Sequence, residues 1–141
     1  MTTSTMTTTT NKTIVQRFYA AVDQGDVSTV GELFAPEWVN VDPSLPPLQG
    51  LEGARTLVSM FTTSFPDFTS RIELMAAEGD RVAVRAVHTG THSGPFLGVP
   101  ATGRKVTVTA TGIFTCKDGK LVENRVVFDA YGLLQQLGVA P

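Results

Sequence analysis

The sequence predicts an α+β domain in which N-terminal helices pack on a curved, mostly antiparallel sheet that encloses an apolar pocket. Three observations carry this. Apolar residues recur at helical spacing as far as Phe65 and at alternate positions from Phe68 onward, so helices come first and strands follow. Compact turns, Glu78-Gly79-Asp80 and Lys117-Asp118-Gly119-Lys120, join the later segments as hairpins. One face of the third long strand is apolar yet small at its middle, at Ala110 and Gly112, which leaves room beside a core.

The first ten residues, MTTSTMTTTT, read as a flexible threonine-rich tail, and residues 11–141 as a single domain. From Asn11 a helix follows, with Ile14, Val15, Phe18, Tyr19 and Val22 on one face and Gly25 as its stop. Asp26 caps a second helix through Val27, Val30, Leu33 and Phe34, which Pro36 closes. Trp38 to Asp42 alternates like a short strand ending at Pro43, and a proline-rich loop leads to a third helix, Gly53 to Phe65. The strands are Phe68–Ala77, Arg81–Thr91, Arg104–Cys116 and Leu121–Phe128, and a helix over Tyr131–Leu137 ends the chain.

Composition narrows the function. With 11 basic against 13 acidic residues the net charge is -2, and the basic residues are scattered, so nucleic acid is not an expected partner. The single cysteine, Cys116, rules out an internal disulfide and suits a reducing cytoplasm. No apolar run reaches the roughly 18 residues of a membrane span, and the N-terminal tract lacks the pattern of a secretion signal.

Splitting each strand by alternation assigns the site. Val106, Val108, Ala110, Gly112, Phe114 and Cys116 face inward, as do Val82, Val84, Ala86, His88, Gly90 and His92, and Val122, Asn124, Val126 and Phe128. Arg71, Glu73, Arg85, Glu123 and Arg125 then form cross-strand pairs outside. The inner polar groups are His88, His92, Asn124, Asn40 and Asp42, and a buried polar group is either satisfied or used. A histidine shuttles protons near neutral pH, and a carboxylate desolvated by a neighbour such as Trp38 becomes a stronger base. Asp42 and His88 are therefore the catalytic candidates. Asn40, Asn124, Trp38, His92, Phe96, Tyr19, Phe61, Phe114 and Val126 are the expected substrate contacts, with Phe96 a lid on the glycine-rich loop Gly94–Gly98. The other reading has Asp42 capping the turn before Pro43 and both histidines as satisfied wall residues. His88 and His92 lie about 13 Å apart along an extended strand, too far for one metal, so no metal is expected. Phosphate-binding glycine motifs and a serine elbow are also missing.

Two stretches resemble known families. His92-Ser93-Gly94-Pro95-Phe96-Leu97-Gly98-Val99-Pro100 with Thr102-Gly103-Arg104, then Asp118-Gly119-Lys120-Leu121-Val122-Glu123 and Gly132-Leu133-Leu134-Gln135-Gln136-Leu137-Gly138, resemble the SnoaL-like polyketide cyclases. That resemblance implies the cone of the NTF2-like superfamily, homodimerisation through the outer sheet face, and cofactor-free chemistry on polycyclic or ester substrates. It also implies an acid where this chain has Val126 and often a histidine where it has Gly112, while Asn40 matches a polar pocket position. The N-terminal third, with Val15-Gln16-Arg17-Phe18, Ala20-Ala21, Gly25-Asp26, Leu33-Phe34 and Asp42-Pro43, is similar to ketosteroid isomerase. That places Asp42 at a general base, with Phe18 replacing the oxyanion-hole tyrosine.

The sequence thus predicts a cofactor-independent tailoring enzyme that cyclises or isomerises a small hydrophobic polyketide- or terpenoid-like substrate. Asp42 would move a proton, and His88, with Asn40 and Asn124, would steady charge or return it. An epoxide-opening cyclase or hydrolase and a non-catalytic binding protein are the alternatives.

Overall fold

The computed structural model describes residues 2–141. Helix α1 (Thr2–Gln24) begins nine residues before the apolar pattern does and takes in the threonine tract read as a tail, of which Met1 lies outside the described residues. Once the stripe Ile14, Val15, Phe18, Tyr19 and Val22 is docked, each further residue closes one more backbone bond, so the helix propagates past its anchoring face.

The end of α1 is sharply defined. Gly25 has φ +62°, Asp26 N–H bonds Ala21 C=O at 2.9 Å and Gly25 N–H bonds Val22 C=O at 3.2 Å, the paired bonds of a Schellman cap. A Cβ on Gly25 would also collide with Thr62 Oγ1. Asp26 then caps a 3₁₀ turn (Val27–Thr29) through Ser28 N–H, and α2 (Val30–Leu33) follows.

Strand β1 runs Phe34–Val41, so Pro36 lies inside it instead of closing a helix. The reason is the irregular register of its parallel pairing with β6 (Lys120–Phe128) between Phe34 and Val39, where the missing proline N–H breaks no regular ladder. After β2 (Leu48–Gln49) comes α3 (Gly50–Ser64), then β3 (Thr69–Glu78), β4 (Arg81–Thr91), β5 (Lys105–Lys117), β6 and α4 (Ala130–Gln136). The six strands are ordered β2-β1-β6-β5-β4-β3, antiparallel except for β1 beside β6. Asp118 and Gly119, both at positive φ, form the two-residue turn of the β5–β6 hairpin, which suits the twist of the strands.

The inner face is the one alternation assigns, with one exchange. A register shift opposite Thr115 and Cys116 turns Leu121 fully inward in place of Val122. Outside, Glu73 bridges Arg71 and Arg85 at 3.3 and 3.1 Å, and Glu123 pairs with Arg125 at 2.7 Å. Leu74, Ile113 and Val127 are exposed on the same surface. The core sits between the inner face and α1, α3 and α4. β6 pairs with β5 only as far as Ala110, and beyond it the Gln136 side-chain amide bonds both Thr107 N–H and C=O, at 2.8 and 2.9 Å, in place of a strand.

Candidate active site

The core is not filled. A cavity of about 100 Å³ remains between α1, α3 and the inner sheet face, against the roughly 10–15 Å³ that one water needs. Its walls are aromatic: Phe18 and Tyr19 from α1, Phe61 from α3, Phe114 from β5, with Phe65, Phe68 and Phe96 from the connections. Tyr19 meets Phe114 edge-on at 5.8 Å, and Phe96 packs on Phe61 and Phe65 at 5.9 and 5.4 Å. Asn40, Asp42, His88, Thr89 and Asn124 bring polar atoms to this lining.

Alternation along β4 turns His88 inward, between the rings of Tyr19 (6.1 Å) and Phe68 (5.2 Å), both nearly parallel to it. Burial lowers its pKa to about 4, so the ring is neutral at pH 7. Nδ1 lies 2.8 Å from Ser70 Oγ, whose own proton goes to Asp23 Oδ1 at 2.6 Å. A Ser70 hydroxyl that donates to Asp23 can only accept from Nδ1, an arrangement that calls for the tautomer with Nδ1–H and a bare Nε2.

Asn124 is fully buried, and its Oδ1 accepts the Trp38 indole N–H at 3.1 Å. That bond turns Nδ2 away, and Nδ2 has no hydrogen-bond partner among the described residues. Asn40, also buried, is its register neighbour on β1. Asp42 closes β1 with one carboxylate oxygen accepting Ser44 N–H at 2.9 Å, and no second bond reaches its other oxygen among the described residues. Burial raises its pKa above the ordinary aspartate value, although the Ser44 bond pulls the other way. Asp42 is thus both a turn cap and a cavity carboxylate.

The profile of the SnoaL-like polyketide cyclase family matches residues 13–137. The chain belongs to that family. This SnoaL-like chain is 28% identical over 128 residues to aklanonic acid methyl ester cyclase DauD of Streptomyces sp. (strain C5), covering 89% of this chain and 80% of that one. The solved structure of TsrD from Streptomyces laurentii is 28% identical, with TM-score 0.83 over 93% of this chain and 96% of that one. IdmH of Streptomyces antibioticus is 33% identical, with TM-score 0.78 over 92% and 99%. The predicted α+β cone and the cyclase class of enzyme both hold for this SnoaL-like chain.

Asn40, Asp42, His88, Asn124, Tyr19, Phe61, Phe96, Phe114 and Val126 all line the cavity of this SnoaL-like cyclase, and Trp38 and His92 do not. Trp38 stands behind Asn124 against Phe34, at 5.0 Å. His92 is fully buried, with Nδ1 accepting Thr102 N–H at 3.2 Å, and ties the two ends of the 92–104 loop together. Its Nε2 has no partner among the described residues. Phe96 covers the cavity, but its loop is fastened: Ser64 Oγ–H bonds Pro95 C=O at 2.6 Å, and Ser93 and Gly94 N–H both reach Ser64 C=O. The room expected above Gly112 is occupied, because a Cβ there would lie 2.9 Å from Val126 Cγ2 and 3.1 Å from Phe114 Cε1.

Sequence reasoning missed Asp23 and Ser70. Asp23 follows Tyr19 by four residues on the buried stripe of α1, and Ser70 follows Phe68 by two on β3, so both were polar positions on apolar faces. No cluster of three His, Cys, Asp or Glu side chains among the described residues could hold a metal ion. No helix among them is long and apolar enough to cross a membrane.

Proposed function

We propose that this chain is a tailoring cyclase that closes a ring in a small, largely apolar polyketide by side-chain acid/base chemistry, without a cofactor. The observation that carries this reading is the Asn124 amide. Its Nδ2 is fully buried and unpartnered among the described residues, in a side chain that lines the cavity, an arrangement that costs about 1–3 kcal/mol unless a substrate oxygen completes it. Lining the same cavity are two side chains that can accept a proton, Asp42 and His88.

In this reading Asp42 takes a proton from carbon next to a substrate carbonyl, and Asn124 Nδ2–H donates to the oxygen on which negative charge grows. The enolate carbon attacks a second carbonyl of the same molecule, and the alkoxide takes a proton back, so the net change is an isomerisation. His88 has no N–H to offer a negative oxygen in its present tautomer. It exchanges protons through Nε2 instead, and the steadying role first given to it passes to Asn124. The aromatic walls hold a flat, uncharged skeleton, and the parts needed for ring closure all come from side chains.

Leu74, Ile113 and Val127, at 63, 47 and 62% exposure, support a homodimer formed through the outer sheet face. The free thiol of Cys116 fits a reducing cytoplasm. The test uses the compound named for the relative, aklanonic acid methyl ester. Purified wild type is expected to convert it to an isomer of equal mass and different retention, and Asp42→Ala is not. A host lacking the gene should accumulate an isomer of its final product that only wild type clears. Equal clearance by wild type and Asp42→Ala sinks the role of Asp42, and no change in either experiment sinks the cyclase reading in favour of a binding protein.

A further inference from the structure

Asp23 and Ser70 lie outside the cavity lining, yet among the described residues they form the one hydrogen-bonded chain that reaches the His88 ring. Asp23 holds Ser70 at two points, its Oδ2 accepting the backbone N–H at 2.9 Å and its Oδ1 accepting the hydroxyl at 2.6 Å. With that proton committed, Ser70 Oγ can only accept from His88, 2.8 Å away. The three groups come from three elements, the last turn of α1, β3 and β4, and the pairing of Ser70 with His88 across the β3–β4 ladder fixes the contact. The cap at Gly25 ends α1 two residues past Asp23 and sets where that carboxylate stands.

We infer that Asp23 and Ser70 are positioning residues that lock His88 in its Nδ1–H form, aim a bare Nε2 at the substrate, and carry away the proton His88 accepts. When Nε2 gains a proton from a substrate hydroxyl, a different proton from the carbon-bound one that Asp42 takes, that O–H bond breaks, and the Nδ1 proton passes to Ser70 Oγ as the Ser70 hydroxyl proton passes to Asp23 Oδ1 and forms its O–H. One N–H forms and one breaks. The ring ends neutral in its other tautomer, Asp23 ends neutral, and the negative charge rests on the substrate. The chain matters because a ring buried between Tyr19 and Phe68 holds a positive charge poorly. Around His88 the titratable neighbours are Tyr19 and Asp23 from α1 and, across the cavity, Asp42. The connection before β3 contributes Phe68, β3 contributes Ser70, and β5 places Val108 beside it, so among the described residues Asp23 is the only carboxylate bonded to this hydrogen-bonded chain. Burial also raises the Asp23 pKa, which suits a group that must accept a proton and release it again.

This inference deepens the cyclase reading, but its first test is independent of any substrate. The chain has two histidines, so ¹⁵N-histidine NMR reports each ring separately. Wild type is expected to show His88 as Nδ1–H with a bare Nε2. Asp23→Asn puts an amide N–H where the carboxylate accepted, frees the Ser70 hydroxyl to donate to Nδ1, and should invert the tautomer. Ser70→Ala should lose the Nδ1–H form, and Ser70→Thr, which keeps the hydroxyl, should retain it. Should Ser70→Ala fail to fold, Asp23→Asn and Ser70→Thr still decide the matter. An Nε2–H ring in wild type, or an Nδ1–H ring that survives Asp23→Asn, overturns the inference. The second test is turnover of aklanonic acid methyl ester, in which Asp23→Asn should lower kcat about 100-fold with little change in KM; a kcat equal to wild type overturns proton transfer along the chain. If wild type leaves the ester unchanged and loss of the gene changes no metabolite, the cyclase reading fails, and the NMR arm still decides the arrangement of His88.

Discussion

The Trp38 indole donates to Asn124 Oδ1 at 3.1 Å and so decides which end of the Asn124 amide is paired and which is left without a partner among the described residues. Trp38→Phe keeps an aromatic ring against Phe34 but leaves Oδ1 buried and unpaired. The expected result is a loss of about 1–3 kcal/mol in urea unfolding followed by circular dichroism, together with a lower kcat, because the amide no longer has a fixed orientation. Unchanged turnover would mean that Asn124 does not need Trp38 to direct it.

Asp42 has two jobs that one substitution separates. In Asp42→Asn the side-chain oxygen still accepts Ser44 N–H, so stability should stay within about 0.5 kcal/mol while turnover falls by 100-fold or more. A variant that keeps its activity assigns Asp42 to the turn alone. The pH dependence has a definite sign. The folded pKa is raised, so the folded chain binds the proton more tightly and the Asp42 contribution to stability falls as pH rises through the interval above the ordinary aspartate value. The basic form needed for proton abstraction grows over the same interval, and kcat/KM should rise there in wild type but not in Asp42→Asn.

His88 shifts in the opposite direction. Its folded pKa is about 4 against 6.5 for the free side chain, so between those values the unfolded chain binds more protons. Stability contributed by neutral His88 is therefore complete above about pH 6.5 and is lost as pH falls toward 4, by roughly 3 kcal/mol at most. The difference in unfolding free energy between wild type and His88→Gln should shrink across that window, and a difference that does not vary with pH would show that the ring is not held neutral by burial. The raised pKa values of Asp23 and Asp42 act with the other sign, which is why the comparison with His88→Gln is the informative one.

On the outer face, Ile113→Asp places a charge among Leu74, Val127 and the ion pairs of Glu73 and Glu123. Sedimentation should show wild type as a dimer and the variant as a monomer with an unchanged circular dichroism spectrum. A wild type that sediments as a monomer refutes the sheet-to-sheet dimer.

The two faces of the sheet were legible because strand alternation has a period of two and the apolar set is unambiguous on β4 and β5. The same argument failed wherever a neighbour intervened. Val122 loses its inward place to Leu121 through a register shift, Pro36 is absorbed by an irregular pairing, and Gly112 offers no room because Val126 and Phe114 reach across it. Trp38 and His92 were taken as substrate contacts and stand outside the cavity lining, because alternation cannot distinguish the cavity wall from the layer behind it. Asp23 and Ser70 stood on legible faces as well. Their bond to His88 depends on how α1 meets β3, a tertiary relation that no periodicity reports.

Gly112 and Val126 are register partners on β5 and β6, and a side chain on the first would enter the volume held by the second. The two positions are therefore not free to change one at a time. A mutational path from this chain to one with larger polar groups at both places must shrink residue 126 before residue 112 can grow, and the reverse order passes through a misfitted intermediate. Mutational scanning at either site alone would understate what the pair tolerates.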